Sequence, residues 1–99
     1  MNALNVAAAV AVAAEVFNVR REDILSARRN ADICLARHAA VGLAWEFTAK
    51  VSTQIARALG GRDHSTILNS RARCEELRAT DPEFAHRFEI ARGVATTLA

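Results

Sequence analysis

Proline occurs once and glycine four times in 99 residues, and aromatic residues make up 5% of the chain. With so few turn formers, and with alanine abundant in a chain that is 52% hydrophobic, the composition excludes a meander of short strands and favours one all-helical soluble domain. Disulfide chemistry is also missing. Cys34 and Cys74 fall in separate helical patterns without framework spacing, as expected of reduced thiols in a cytoplasmic protein. No apolar run reaches the length of a membrane span. The longest, Val6–Ala14, has no Lys or Arg before it and runs into Glu15 without a turn, so it reads as a buried helix and not as an export signal. The expected location is the cytoplasm, near the nucleoid.

An excess of one charge sign is scarce as well, for the formal net charge is +2. Its distribution is more informative. Between Arg57 and Arg73 four arginines (Arg57, Arg62, Arg71, Arg73) face Asp63 alone, whereas from Cys74 onward three arginines meet five acids. Such asymmetry is what a chain with one phosphate-facing side requires.

The periodicity predicts six helices. Residues from about Leu4 to Phe17 place Val6, Val10 and Phe17 on one face, and Asn18 suits a left-handed end. A short segment, Arg21 to Ser26, contributes Ile24 and Leu25, and the basic loop Ala27-Arg28-Arg29-Asn30 follows. Asn30 is placed to cap a third helix running to about Ala49. That helix is apolar over so much of its circumference (Ile33, Ala36, Ala40, Val41, Leu43, Trp45, Phe47) that it should be central. Ser52 is the expected cap of a fourth helix to Leu59. Gly60-Gly61 breaks the pattern, and Asp63 is placed to cap a fifth helix, to about Ala79, with Ile67, Leu68, Cys74 and Leu77 inward. Thr80-Asp81-Pro82-Glu83 is a strong start for a sixth helix. The fourth and fifth helices form a helix–turn–helix over about 52–79 within a single domain, 1–99.

The candidate functional residues gather around that turn. Arg62, Asp63, His64, Ser65 and Thr66 stand in or just before a first helical turn, the end that commonly meets base edges. Asp63 can accept from an exocyclic amine, His64 and Ser65 can bond base edges, and Thr66 offers a hydroxyl and a methyl. Arg28 and Arg29 could form only a solvated loop, yet arginines beside a recognition helix can also enter a minor groove. Arg37 and His38, in the second turn of the third helix, complete the candidate DNA-binding set.

Catalytic readings are weaker. Asp63-His64-Ser65 has triad residue types, but three consecutive residues splay around a helix axis and cannot place the histidine between the other two. Cys34 and His38 have chelating spacing without the further ligands that zinc wants. No enzyme activity, metal or cofactor is expected.

Leu25-Ser26-Ala27-Arg28-Arg29-Asn30, Ala36-Arg37, the run Leu59-Gly60-Gly61-Arg62-Asp63-His64-Ser65-Thr66-Ile67-Leu68 and Asp81-Pro82-Glu83-Phe84 together resemble the C-terminal DNA-binding domain of the bacterial replication initiator DnaA family. The resemblance implies an all-α, six-helix, Trp-repressor-like bundle that binds double-stranded DNA at A·T-rich DnaA-box-like sites. It assigns the major groove to Arg62–Thr66, the minor groove to Arg29 and the phosphate backbone to Arg37. Replication proteins are further candidate partners, and no membrane or nucleotide partner is expected. Departures fall on the phosphate-gripping positions: Ala31, Asp32, Leu35, His38 and Trp45 stand where basic or amide residues are common. The family's phosphate-cradling loop has no counterpart, since the single lysine, Lys50, follows no glycine loop. The expected role is therefore occupancy of such sites, in origin recognition or as a stand-alone regulator. The alternative is a protein-interaction module on the same fold without specific DNA reading.

Overall fold

The computed structural model describes residues 4–99, which form six helices and no strand among them. They are α1 (Val6–Phe17), α2 (Arg21–Leu25), α3 (Ala31–Phe47), α4 (Ser52–Ala58), α5 (His64–Thr80) and α6 (Pro82–Leu98). The all-α bundle expected from composition is thus what forms.

α3 is the axis of the molecule. It packs against each of the other five helices, and an unbroken buried run from Ala39 to Ala44 faces neighbours on every side. Small residues make this possible, because alanines let α1 approach closely through Ala9, Ala13 and Ala14. At Gly42 a Cβ would meet Cys74 Sγ at 2.7 Å, so the crossing of α3 with α5 depends on its bare backbone. The aromatic residues close the opposite side. The Phe17 and Phe84 ring centroids lie 5.4 Å apart, and Phe84 stacks on Phe88 at 6.0 Å. An exposed bidentate pair then ties α6 to α3, with Arg92 Nε donating to both Glu46 oxygens at 3.0 Å.

Chain ends of the helices follow the sequence in part. Asn18 is left-handed at φ 59°. Asp81 Oδ1 accepts from the Glu83 and Phe84 backbone N–H groups at 3.1 and 3.2 Å. Other caps are corrected. Asn30 and Asp63 occupy cap positions, but neither side chain bonds the helix backbone. Ser52 is already helical; the preceding residue is Val51, whose N–H donates to Gln54 Oε1 at 3.0 Å. α3 stops at Phe47, two residues early, because Thr48 turns its hydroxyl back onto the Ala44 carbonyl at 2.6 Å. On α5 Leu68 is exposed, and Ser70 takes the inward place expected of it.

The two thiols differ in reach. Cys74 is fully buried, and burial pushes its thiol up to about 12, whereas Cys34 is half-exposed. A thiol reagent at pH 8 is expected to label Cys34 in the folded protein within minutes and to label Cys74 only on unfolding, as peptide mapping by mass spectrometry would reveal. No helix among the described residues is long and apolar enough to cross a membrane.

Candidate nucleic-acid interface

The corner between α4 and α5 is built from backbone. Gly60 and Gly61 take φ values of 88° and 76°, which lets the Gly61 and Arg62 N–H groups fold back to the Ala56 carbonyl at 3.1 and 2.9 Å. The two glycines differ in their neighbours. A Cβ on Gly60 would lie 2.7 Å from the Leu25 carbonyl oxygen, while one on Gly61 would meet nothing within 4 Å. The corner is therefore pressed against the end of α2.

Beyond it, Asp63, His64, Ser65 and Thr66 are all exposed. The Asp63 carboxylate, free of any capping duty, accepts the Ser65 hydroxyl at 2.9 Å and lies 3.6 Å from His64 Nδ1. This leaves a compact set of donors and acceptors on the outside of a helix start, where Ile67 anchors the turn by burial.

Beside this set lies an open cleft of about 580 Å³ between the α2–α3 loop, α3 and α5. Arg29, Arg37, Arg62 and Arg73 line it, together with His38, Thr66, Asn69 and Ser70, and no acidic residue does. Arg73 and Asn69 were not among the expected site residues. Their signal was present, since they follow Thr66 by seven and three positions and so share its side of the helix. In the loop the two arginines part company. Arg28 turns to Asp23 Oδ1 at 3.3 Å, whereas Arg29 makes no ion pair among the described residues and lines the cleft. Arg20 also bonds Asp23, and that hydrogen bond holds the carboxyl below its usual range.

Three of the expected DNA contacts are otherwise engaged. Arg37 is 8% exposed; its Nε donates to the Ile24 carbonyl at 2.8 Å and its Nη2 to those of Asp23 and Ser26 at 3.0 Å. In the DNA-free protein Arg37, the residue expected at the phosphate backbone, thus spends its Nε and Nη2 donors on the end of α2. Arg62 is half-buried and donates to the same Ile24 carbonyl at 3.2 Å and to that of Ser26. Burial, and then the Arg37 charge, lower the pKa of its guanidinium. His38 Nδ1 sits 2.6 Å from the Ser70 hydroxyl, and burial followed by Arg73 lowers its pKa. Trp45, another departure from the basic pattern, lies beneath a cation instead, with the Arg71 guanidinium carbon 4.4 Å from its ring centroid.

Among the described residues no group of three His, Cys, Asp or Glu side chains is disposed to hold a metal. What the surface offers is recognition chemistry: exposed hydrogen-bonding side chains at a helix N-terminus, where backbone N–H groups already favour anions. A cleft rich in arginine runs alongside.

Comparison with known proteins follows the same stretch. A family model described as the bacterial dnaA protein helix-turn-helix matches residues 6–73. The chain is 41% identical over 76 residues to the chromosomal replication initiator protein DnaA of Caulobacter vibrioides (strain NA1000 / CB15N), covering 77% of this chain and 16% of that protein. It is 38% identical over 76 residues to the protein of the same name in Chromobacterium violaceum, covering 77% and 16%. In Cereibacter sphaeroides (strain ATCC 17029 / ATH 2.4.9) the identity is 37% over 79 residues, covering 80% and 17%. The chain thus spans 16–17% of the length of these relatives.

Proposed function

This chain belongs to the bacterial DnaA helix–turn–helix family, and from that premise we propose that it binds double-stranded DNA at A·T-rich, DnaA-box-like sites. The observation that carries this reading is the exposure of Asp63, His64, Ser65 and Thr66 together at the start of α5. In the major groove Asp63 accepts from the exocyclic amine of cytosine or adenine, His64 and Ser65 bond base edges, and the Thr66 methyl packs on thymine. Arg29, which lines the cleft, enters the adjoining minor groove, where a narrow A·T tract concentrates negative potential. Arg28 and Arg73, paired in the DNA-free protein with Asp23 at 3.3 Å and Glu76 at 2.7 Å, exchange those carboxylates for phosphates on either side.

The chain's contribution is occupancy and reading of a site. The sequence holds no glycine-rich loop with a lysine to cradle nucleotide phosphates. Origin recognition and regulation of replication or transcription are the roles that such occupancy serves.

Grip on the backbone is expected to be modest. With Arg37 and Arg62 bonded internally, counterion release from about three to four phosphates gives a slope of about −3 for log K against log salt. A slope steeper than about −6 would mean that cations outside the cleft dominate binding. Sequence reading is tested by fluorescence anisotropy on a DnaA-box-like duplex and a scrambled duplex of equal composition. The box is expected to bind at least about 100-fold more tightly, near the low end of specific over non-specific ratios. Equal affinities would remove the claim.

A further inference from the structure

α2 is a helix of five residues, Arg21–Leu25, too short to hold its own position. Like any helix it ends with carbonyls that lack intrahelical partners. Here those carbonyls are received by two arginines from distant parts of the chain. Arg37 reaches them from α3, and Arg62 from the glycine corner; both donate to Ile24 and to Ser26. Neither arginine has a carboxylate partner among the described residues; besides the carbonyls, Arg37 Nη1 reaches only the Cys34 Sγ at 3.9 Å, so two like charges stand side by side on neutral acceptors. Arg62 Nε is buried without a hydrogen-bond partner among the described residues. Apolar side chains here would leave those carbonyls without donors, so the fork is what closes the end of α2 against the bundle.

The fork sits between the two reading elements. On one side Arg62 directly precedes Asp63. On the other, Ser26 accepts the Arg28 backbone N–H on its hydroxyl at 3.1 Å while donating to the Asp23 carbonyl at 2.7 Å, which sets the path of the chain into Arg29. The close approach of Gly60 to the Leu25 oxygen locks the same two segments.

We infer that Arg62 is a positioning residue: by holding the end of α2 it fixes the offset between Arg29 in one groove and Asp63–Thr66 in the other. Specificity for the spacing of the two halves of a site follows from this tie, and no contact of Arg62 with DNA is needed. The inference rests on the DNA-reading assignment above.

A double-mutant cycle between Arg62→Met and Arg29→Ala tests it, measured by anisotropy on a DnaA-box-like duplex. A second duplex has its A·T tract moved by one base pair from the major-groove half. Methionine keeps the length of the side chain and removes every donor. Arg62→Met is expected to weaken box binding about 10-fold, and to weaken it less than about 2-fold once Arg29 is already alanine, because a misplaced loop has nothing left to misplace. Preference for the box over the shifted duplex is expected to fall in proportion. An equal loss with and without Arg29 would overturn the inference.

Hydrogen exchange on the DNA-free protein separates this claim from the assignment it rests on. Faster exchange confined to Ala27–Asn30 in Arg62→Met is expected, with α3 and α6 unchanged; unaltered exchange in that loop would overturn the tie even if wild-type protein failed to distinguish box from scrambled DNA. If Arg62→Met does not fold, Arg62→Lys, which keeps the charge but loses the fork, carries the same exchange comparison to the same two outcomes.

Discussion

Gly60→Ala is expected to destabilise the protein by about 2–5 kcal/mol, lowering the melting temperature by roughly 10–25 °C in a domain of this size. Two costs add. An L-residue at φ 88° is strained wherever it sits, and the new Cβ would stand 2.7 Å from the Leu25 carbonyl oxygen, a backbone atom that cannot swing aside. Either the corner or the end of α2 must move, and the end of α2 also carries the bonds from Arg37 and Arg62. Gly61→Ala is the matched control. Its φ of 76° imposes similar strain, but its Cβ would meet open space, so the loss is expected to stay near about 1 kcal/mol. Thermal unfolding of both variants followed by circular dichroism reads the difference. Equal melting temperatures would show that the corner is not pressed against α2.

Removing a reading side chain is expected to do the reverse, sparing the fold and damaging the function. Arg29→Ala and His64→Ala should each cost about 1–3 kcal/mol of binding, or about 5–150-fold in affinity. Both side chains are exposed, so melting temperatures should change by no more than about 3 °C. The two losses should differ in kind. Without Arg29, preference for the A·T tract is expected to relax while the other half of the site is still read; without His64 the pattern inverts. Binding selections from random duplexes with each variant distinguish these outcomes. A uniform loss at every position would mean that both residues act through charge or fold.

How much of this the sequence disclosed depended on whether a residue's role is local. Asn18, Asp81 and the left-handed turn at Gly60 act through their own backbone or the next turn, so their neighbours along the chain suffice to place them, whereas the approach of Gly60 to the Leu25 carbonyl is set by packing. The apolar circumference of α3 marked it as central for a similar reason, since the pattern lies within one helix. Arg37 was different. Its destination is the end of α2, brought there by packing, and a sequence read as a line offers it simply as one more cation. One clue was available: its helical neighbours Ile33, Cys34, Ala40 and Val41 are all apolar, which is the setting of an inward-turned arginine. Arg62 carried no such mark, because it lies in a corner whose path only the fold defines. His38 and Ser70 found each other across 32 positions of chain, a pairing that no spacing rule reaches.

Those internal bonds bear on how the proposed interface grips DNA, not on where it lies. The basic departures and the internal bonds of Arg37 and Arg62 leave fewer free cations beside the corner, while Asp63, His64, Ser65 and Thr66 remain exposed. Affinity then depends more on base and groove contacts and less on charge.

The most direct test is a titration of isotopically labelled protein with a DnaA-box-like duplex, followed by backbone amide cross-peaks in NMR spectra. Peaks of Arg28, Arg29 and Arg62 through Thr66 are expected to shift most, with Asn69 and Arg73 behind them and the outer face of α6 at Ile90, Val94 and Leu98 unmoved. Shifts concentrated on that α6 face, with Asp63 through Thr66 unchanged, would contradict the placement of DNA against the corner and its cleft.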